Sequence, residues 1–106
     1  MITRLGHTVY GLPFIVKDGS GNPVTGILDA NFVKAIRREG QQVADIVTVT
    51  ERQDIANGYY QATYVPSAVG HDILIISHAT YGVLSISREL IVGPQYGQPS
   101  IWENLP

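Results

Sequence analysis

The stretch "NGYYQATYVPSAVG", residues 57–70, decides the fold. Tyr60, Ala62 and Tyr64 recur at a spacing of two. Successive side chains of an extended chain point to opposite faces, so these three share one face of a strand. Asn57-Gly58 is a turn dipeptide that tolerates positive φ, and it opens the strand. Pro66 has no backbone N–H to give a ladder and closes it. Gly70 supplies the next reversal. The stretch therefore reads as one strand and its corner, with tyrosine rings in a core and hydroxyls at its rim.

Outward from this stretch the same grammar repeats. Turn signals stand at "DGSGNP" (18–23), "REGQQ" (38–42), "DIANG" (54–58), "PSAVG" (66–70) and "TYG" (80–82), with short runs rich in Val, Ile, Thr and Tyr between them. Short strands at such regular spacing are the mark of an all-β sandwich or barrel. The run "GLPFIVKD" puts Leu12, Phe14 and Val16 on one face, and Pro13 inside it marks an edge strand. "ANFVKAIRR" is open to two readings. Asp29 and Gly40 could bound a helix, whereas a strand places Phe32 and Ile36 together with Lys34 breaking the pattern. Its β neighbours favour the strand. "DILIISHAT" is nearly continuous apolar, as a central strand covered on both faces would be. "GVLSISRELIV" alternates Leu84 and Ile86, then Leu90 and Val92, and Arg88 interrupts the face where a bulge or strand end is expected. The sum is an all-β sandwich of about seven antiparallel strands with Greek-key connections. Its expected core includes Phe14, Val16, Phe32, Ile36, Tyr60, Tyr64, Leu74, Ile76 and Ile86.

Composition limits the function. The chain has 106 residues, enough for one core. Only 15% are charged, against roughly a quarter in an average soluble domain, so part of the surface is expected to face something other than water. The net charge of −2 does not suit a nucleic-acid binder. Lys34, Arg37 and Arg38 form one basic cluster, expected at a solvated strand end or hairpin tip. The chain has no cysteine. It opens on Met1 without the apolar core of a signal peptide, and no stretch reaches the roughly 20 apolar residues of a membrane helix. A complete small product without a membrane partner is expected.

Chemistry is hard to find. His71 and His78 are seven apart, so on one strand they face opposite ways some 23 Å apart at ~3.3 Å per residue. They cannot share a metal. Asp18, Ser20 and Asn22 alternate faintly like a calcium loop but lack its terminal bidentate carboxylate, and a plain turn is expected. Neither a nucleophile elbow nor a phosphate loop is present. No catalytic, cofactor or metal residue is assigned, and no enzyme, cofactor or small-molecule ligand is expected.

The residues do resemble a known kind of module. Gly58, Tyr60, Tyr64, Pro66 and Gly70, followed by Leu74 and Ile76, resemble the immunoglobulin-like repeats of the filamin type, except that Asp72 stands where those carry an aromatic. Val16, Asp18, Gly21, Pro23, Val24 and Gly26 are similar to the opening of small Ig-like domains in tailed-phage virion proteins and bacterial surface proteins. The resemblance spans about residues 8–92. It implies an Ig-like sandwich over 8–93 between terminal arms at 1–7 and 94–106. With the small size and low charge, it implies a non-enzymatic structural protein of a phage virion, foremost a capsid cement or decoration protein. The alternatives are a tail or neck component, or a carbohydrate- or surface-binding module of a bacterial cell surface.

The two ends are the candidate interface. Ile2, Leu5 and Tyr10 precede the first clear strand, and Tyr96, Ile101, Trp102 and Leu105 follow the last. Aromatic anchors dominate binding surfaces. These residues either pack on the domain's own flank or dock on major capsid protein, other virion subunits or further copies of the chain. The arms are expected at opposite poles, reaching different neighbours.

Overall fold

The computed structural model describes residues 2–94, apart from the side chain of Glu89. The expected arm over 94–106, with Tyr96, Ile101, Trp102 and Leu105, lies outside the described residues except for Pro94. The described chain is all β but for one 3-10 turn at Asp29–Asn31. Its strands are β1 (Ile2–Arg4), β2 (Val9–Tyr10), β3 (Phe14–Ile15), β4 (Phe32–Arg38), β5 (Gln41–Val43), β6 (Val47–Glu51), β7 (Tyr59–Tyr64), β8 (Gly70–His78) and β9 (Gly82–Gly93).

They form two sheets. One has the order β1-β9-β8-β4-β5. In the other, β7 is central, with β6 on one side and β2 and β3 in line on the other. Pro13 explains that interruption. The strand breaks over Gly11–Pro13, while the Gly11 N–H still reaches the Ala62 carbonyl at 2.8 Å. The break also rotates Leu12 outward, where it is 74% exposed, against the expectation that it joins Phe14 and Val16 in the core.

The opening stretch folds as its spacing dictates. Tyr60, Ala62 and Tyr64 are all buried on the inner face of β7. The Tyr60 hydroxyl donates to the Val24 carbonyl at 2.8 Å and accepts the Ile27 N–H at 3.2 Å. Gly58 opens the strand at φ +82°, and a Cβ there would stand 2.8 Å from the Pro23 Cβ. The ambiguous segment is strand over β4. Phe32 and Ile36 face inward, and Phe14, Phe32 and Tyr60 meet ring to ring across the two sheets. Lys34 breaks the apolar pattern because its stem runs to the rim, where Nζ pairs with the Asp29 carboxylate at 2.8 Å.

Two expectations need correction. Ile86 is 47% exposed and not in the core. Between Asp72↔Leu90 and Leu74↔Ser87, β9 advances three residues while β8 advances two. This is the bulge foreseen near Arg88, and one extra residue flips parity: Ser87 turns inward and Ile86 outward. A second shift lies between Ile76↔Ser85 and Ser77↔Val83. The first and last strands also do not end at opposite poles. β1 runs parallel to β9 with Ile2 opposite Ile91 and Arg4 opposite Gly93. The Leu5 N–H bonds the Gly93 carbonyl at 2.7 Å, and Arg4 Nη1 donates to the Pro94 carbonyl at 3.2 Å. The chain thus enters and leaves the sheet side by side.

Candidate functional site

Two places in the molecule depart from simple inside–outside alternation. The first is a buried ionic cluster at one pole. Arg38 lies on the same parity of β4 as Phe32 and Ile36, and Asp72 on the same parity of β8 as Leu74 and Ile76, so both point inward. Arg38 is 7% exposed and Asp72 fully buried. Arg38 grips Asp72 with both ends of its fork, Nε to Oδ1 at 2.7 Å and Nη2 to Oδ2 at 2.9 Å. Nη2 also reaches Asp45 at 2.8 Å. The Tyr64 hydroxyl donates to Asp72 at 2.7 Å, and Ser67 donates its N–H and hydroxyl to Asp45. Among the described residues no buried side-chain polar atom lacks a partner.

The electrostatics follow from that geometry. The hydrogen bonds that Arg38 donates to Asp72, then to Asp45, raise its guanidinium pKa against the opposing effect of burial. Burial, reinforced by Asp72, raises the Tyr64 phenol well above its ordinary value. Burial pushes the Asp45 carboxyl up, but the bonds from Ser67 and Arg38 outweigh it and hold it below the usual range. Gly70 is required beside the cluster. At φ +146°, a Cβ there would sit 2.9 Å from the Arg38 Cγ. Every charge is answered from within the chain, so the cluster clamps strand ends together. The expected basic cluster is thereby dispersed: Lys34 and Arg38 are paired, and only Arg37 is exposed at the hairpin tip, bonding the Gly40 carbonyl.

The second departure is an apolar outer face. β8 alternates buried Asp72, Leu74 and Ile76 with Ile73 and Ile75 on the other side. The sequence suggested a strand covered on both faces, but the second sheet covers only one. Ladder register sets Ala35, Ile75 and Ile86 in one row across β4, β8 and β9, and Val33, Ser77 and Val83 in the next. Val33 is 59% and Val83 64% exposed, and Ile73 and Ile75 are half-buried. Around the β9 edge this face meets a groove lined by Tyr10, Leu12, Ile86, Ser87, Arg88 and Leu90. Tyr10 and Leu12 are both mostly exposed. Adjoining exposed apolar rows of this kind make the face a candidate for protein contact.

No family model, curated protein or solved structure matches the chain. The site therefore rests on its own geometry.

Of the residues proposed from sequence, Tyr10 joins the groove. Ile2 is exposed on β1, and Leu5, half-buried, follows it along the end of β9. Tyr96, Ile101, Trp102 and Leu105 lie outside the described residues. Sequence reasoning missed Val33, Ile73, Ile75, Val83 and Ile86. The signal was the unbroken apolar run of β8, which demands cover on a second face. Asp18 accepts the Ser20 and Asn22 N–H groups at 2.9 and 3.0 Å, so its carboxylate holds a turn, as expected. Among the described residues no three acidic or histidine side chains cluster as metal ligands.

Proposed function

We propose that this chain is a non-catalytic, Ig-like structural module of a tailed-phage virion, a capsid cement or decoration protein, that works by docking on other protein subunits. The observation that carries the reading is the apolar outer face of β4, β8 and β9. Burial of such a face on a neighbour stabilises an interface by about 25 cal/mol per Å² of apolar surface. A cement protein acts through contact area repeated over many copies, and a small rigid β domain with one apolar face suits that use. The Ig-like class is supported by strand order. β9, β8, β4 and β5 neighbour one another as strands G, F, C and C′ do in variable-type domains, and β2/β3, β7 and β6 as B, E and D do. The low charged fraction, 15%, points the same way.

The test is fractionation of the tagged chain in its native source. It should sediment with virus particles on a density gradient, and Ile75→Glu should release it while leaving its thermal melt unchanged. Sedimentation with cell envelope would overturn the virion reading and favour the surface-binding module.

A further inference from the structure

The docking reading leaves the groove beside β9 without an occupant. Its lining is apolar at Tyr10, Leu12, Ile86 and Leu90, with Arg88 exposed at its lip and no carboxylate among the described lining side chains. On its outer side, β9 is paired by β1 only at Ile91–Val92–Gly93. The two bulges make the remaining edge irregular, which discourages a plain added strand. Recognition there has to come from side chains entering the groove.

The chain itself carries a matching segment. Residues 95–106 hold Tyr96, Ile101, Trp102 and Leu105 with Glu103 and no Lys or Arg. Between Pro99 and Pro106 stand three apolar residues, Ile101, Trp102 and Leu105, and one acid, Glu103. That is the complement of an apolar groove with an arginine at its lip. The route favours a second copy. The segment departs at Pro94, whose carbonyl is bound by Arg4, beside β1. To reach its own groove it must reverse direction and pass β1, which fills the intervening edge. A neighbour's segment needs neither.

Area argues against a flat face-to-face dimer instead. Three strands ~4.8 Å apart over five residues at ~3.3 Å give a footprint of roughly 250 Å². Stable interfaces take about 800 Å² per partner. An inserted arm adds the contact that the flat face lacks.

We infer that residues 95–106 of one copy dock in the groove of Tyr10, Leu12, Ile86, Arg88 and Leu90 on another, linking copies head to tail. The inference rests on the docking reading and names its partner. Trp102 is the single tryptophan, so its fluorescence reports the arm alone. In a dilution series of the full chain, emission should shift to the blue as concentration rises, in step with an increasing sedimentation coefficient. Ile86→Asp, at an exposed position, should abolish both changes without altering the melt. A chain ending at Pro94 keeps every described residue of the core cluster, which runs from Val9 to Leu90. Mixed with full-length Ile86→Asp, it should form a one-to-one complex, because one supplies the groove and the other the arm. Emission that is blue at all concentrations means docking on the chain's own flank, and emission that is red at all concentrations means no docking. Either result, or failure of the mixed pair, overturns the inference. Should the chain ending at Pro94 still sediment with virus particles, the docking reading survives and only the self-docking arm falls.

Discussion

The two sheets turn different faces outward. The sheet centred on β7 shows Thr48 and Thr50 from β6 and Gln61 and Thr63 from β7, with Tyr10 beside Thr63 and Ile15 beside Tyr59 at its β2/β3 side. The sheet centred on β8 shows Val33, Ala35, Ile73, Ile75, Val83 and Ile86, interrupted by Arg37 beside Ile73 and Ser77 between Val33 and Val83. Both cover the same core with their inner faces. An antiparallel sheet with one buried face ordinarily turns polar residues to water on the other, as the first does along β6 and β7. The second lacks that alternation, and its apolar rows add nothing to the core they turn away from. Stability is thus held by the inner faces and the ionic pole, while the proposed association falls to one outer face.

The largest effect that would break this division lies inside. Asp72→Ala removes both arms of the Arg38 fork and the acceptor of the Tyr64 hydroxyl, leaving Arg38 with Asp45 alone, and should cost about 3 kcal/mol in urea denaturation. Arg38→Met combined with Asp72→Leu, Asp45→Asn and Tyr64→Phe should cost far less, because it leaves neither a charge nor an unpaired phenol buried. Gly70→Ala comes next. It forces a side chain into a conformation that glycine tolerates and against the Arg38 stem, at a cost of about 1–3 kcal/mol.

Acid probes that pole, through Asp45, and the rim at the start of β4, through Asp29, more gently. The folded chain holds Asp45 and Asp29 below the usual carboxylate range, burial being outweighed by Ser67 and Arg38 at Asp45 and by Lys34 and Val49 at Asp29. A depressed folded value means that the unfolded chain takes up protons first. Their contribution is therefore present above pH ~4 and is lost as pH falls below it. Tyr64 works in the opposite sense. Its raised value makes its contribution complete below pH ~10 and lost as pH rises beyond. Melts across pH should show both losses, and Asp45→Asn should reduce the acid slope.

The smallest effects on stability sharpen the comparison most. Ile75→Thr and Val83→Thr make the second outer face resemble the first. Each should change unfolding free energy by no more than about 0.5 kcal/mol, while weakening attachment to the partner assembly. The reciprocal change Thr63→Ile should alter neither.

The core tyrosines were legible because period two, a Gly entry and a Pro stop all agree at residues 58–66. Ile86 was not, because alternation assumes one residue per ladder step and a bulge supplies two. Arg88 marked where the bulge falls, but its effect on parity depends on pairing with β8, which a single strand does not encode. Asp72 and Arg38 each stood on an inward parity. Their meeting depends on the β4–β8 register, in which Arg38 faces Asp72 across the ladder. Leu12 was misplaced for a similar reason: Pro13 announced an edge, but not that the chain would leave the ladder and turn Leu12 out. The apolar outer face was half legible. The run in β8 demanded cover on two sides, and one sheet supplies only one.

The most direct test of that division is carbene footprinting of the chain, free and within its purified assembly, read residue by residue. Labelling of Val33, Ile75, Val83 and Ile86 should fall on assembly, while Thr48, Thr50, Gln61 and Thr63 stay unchanged. Equal labelling of the apolar rows in both states, or protection confined to the threonine face, would contradict it.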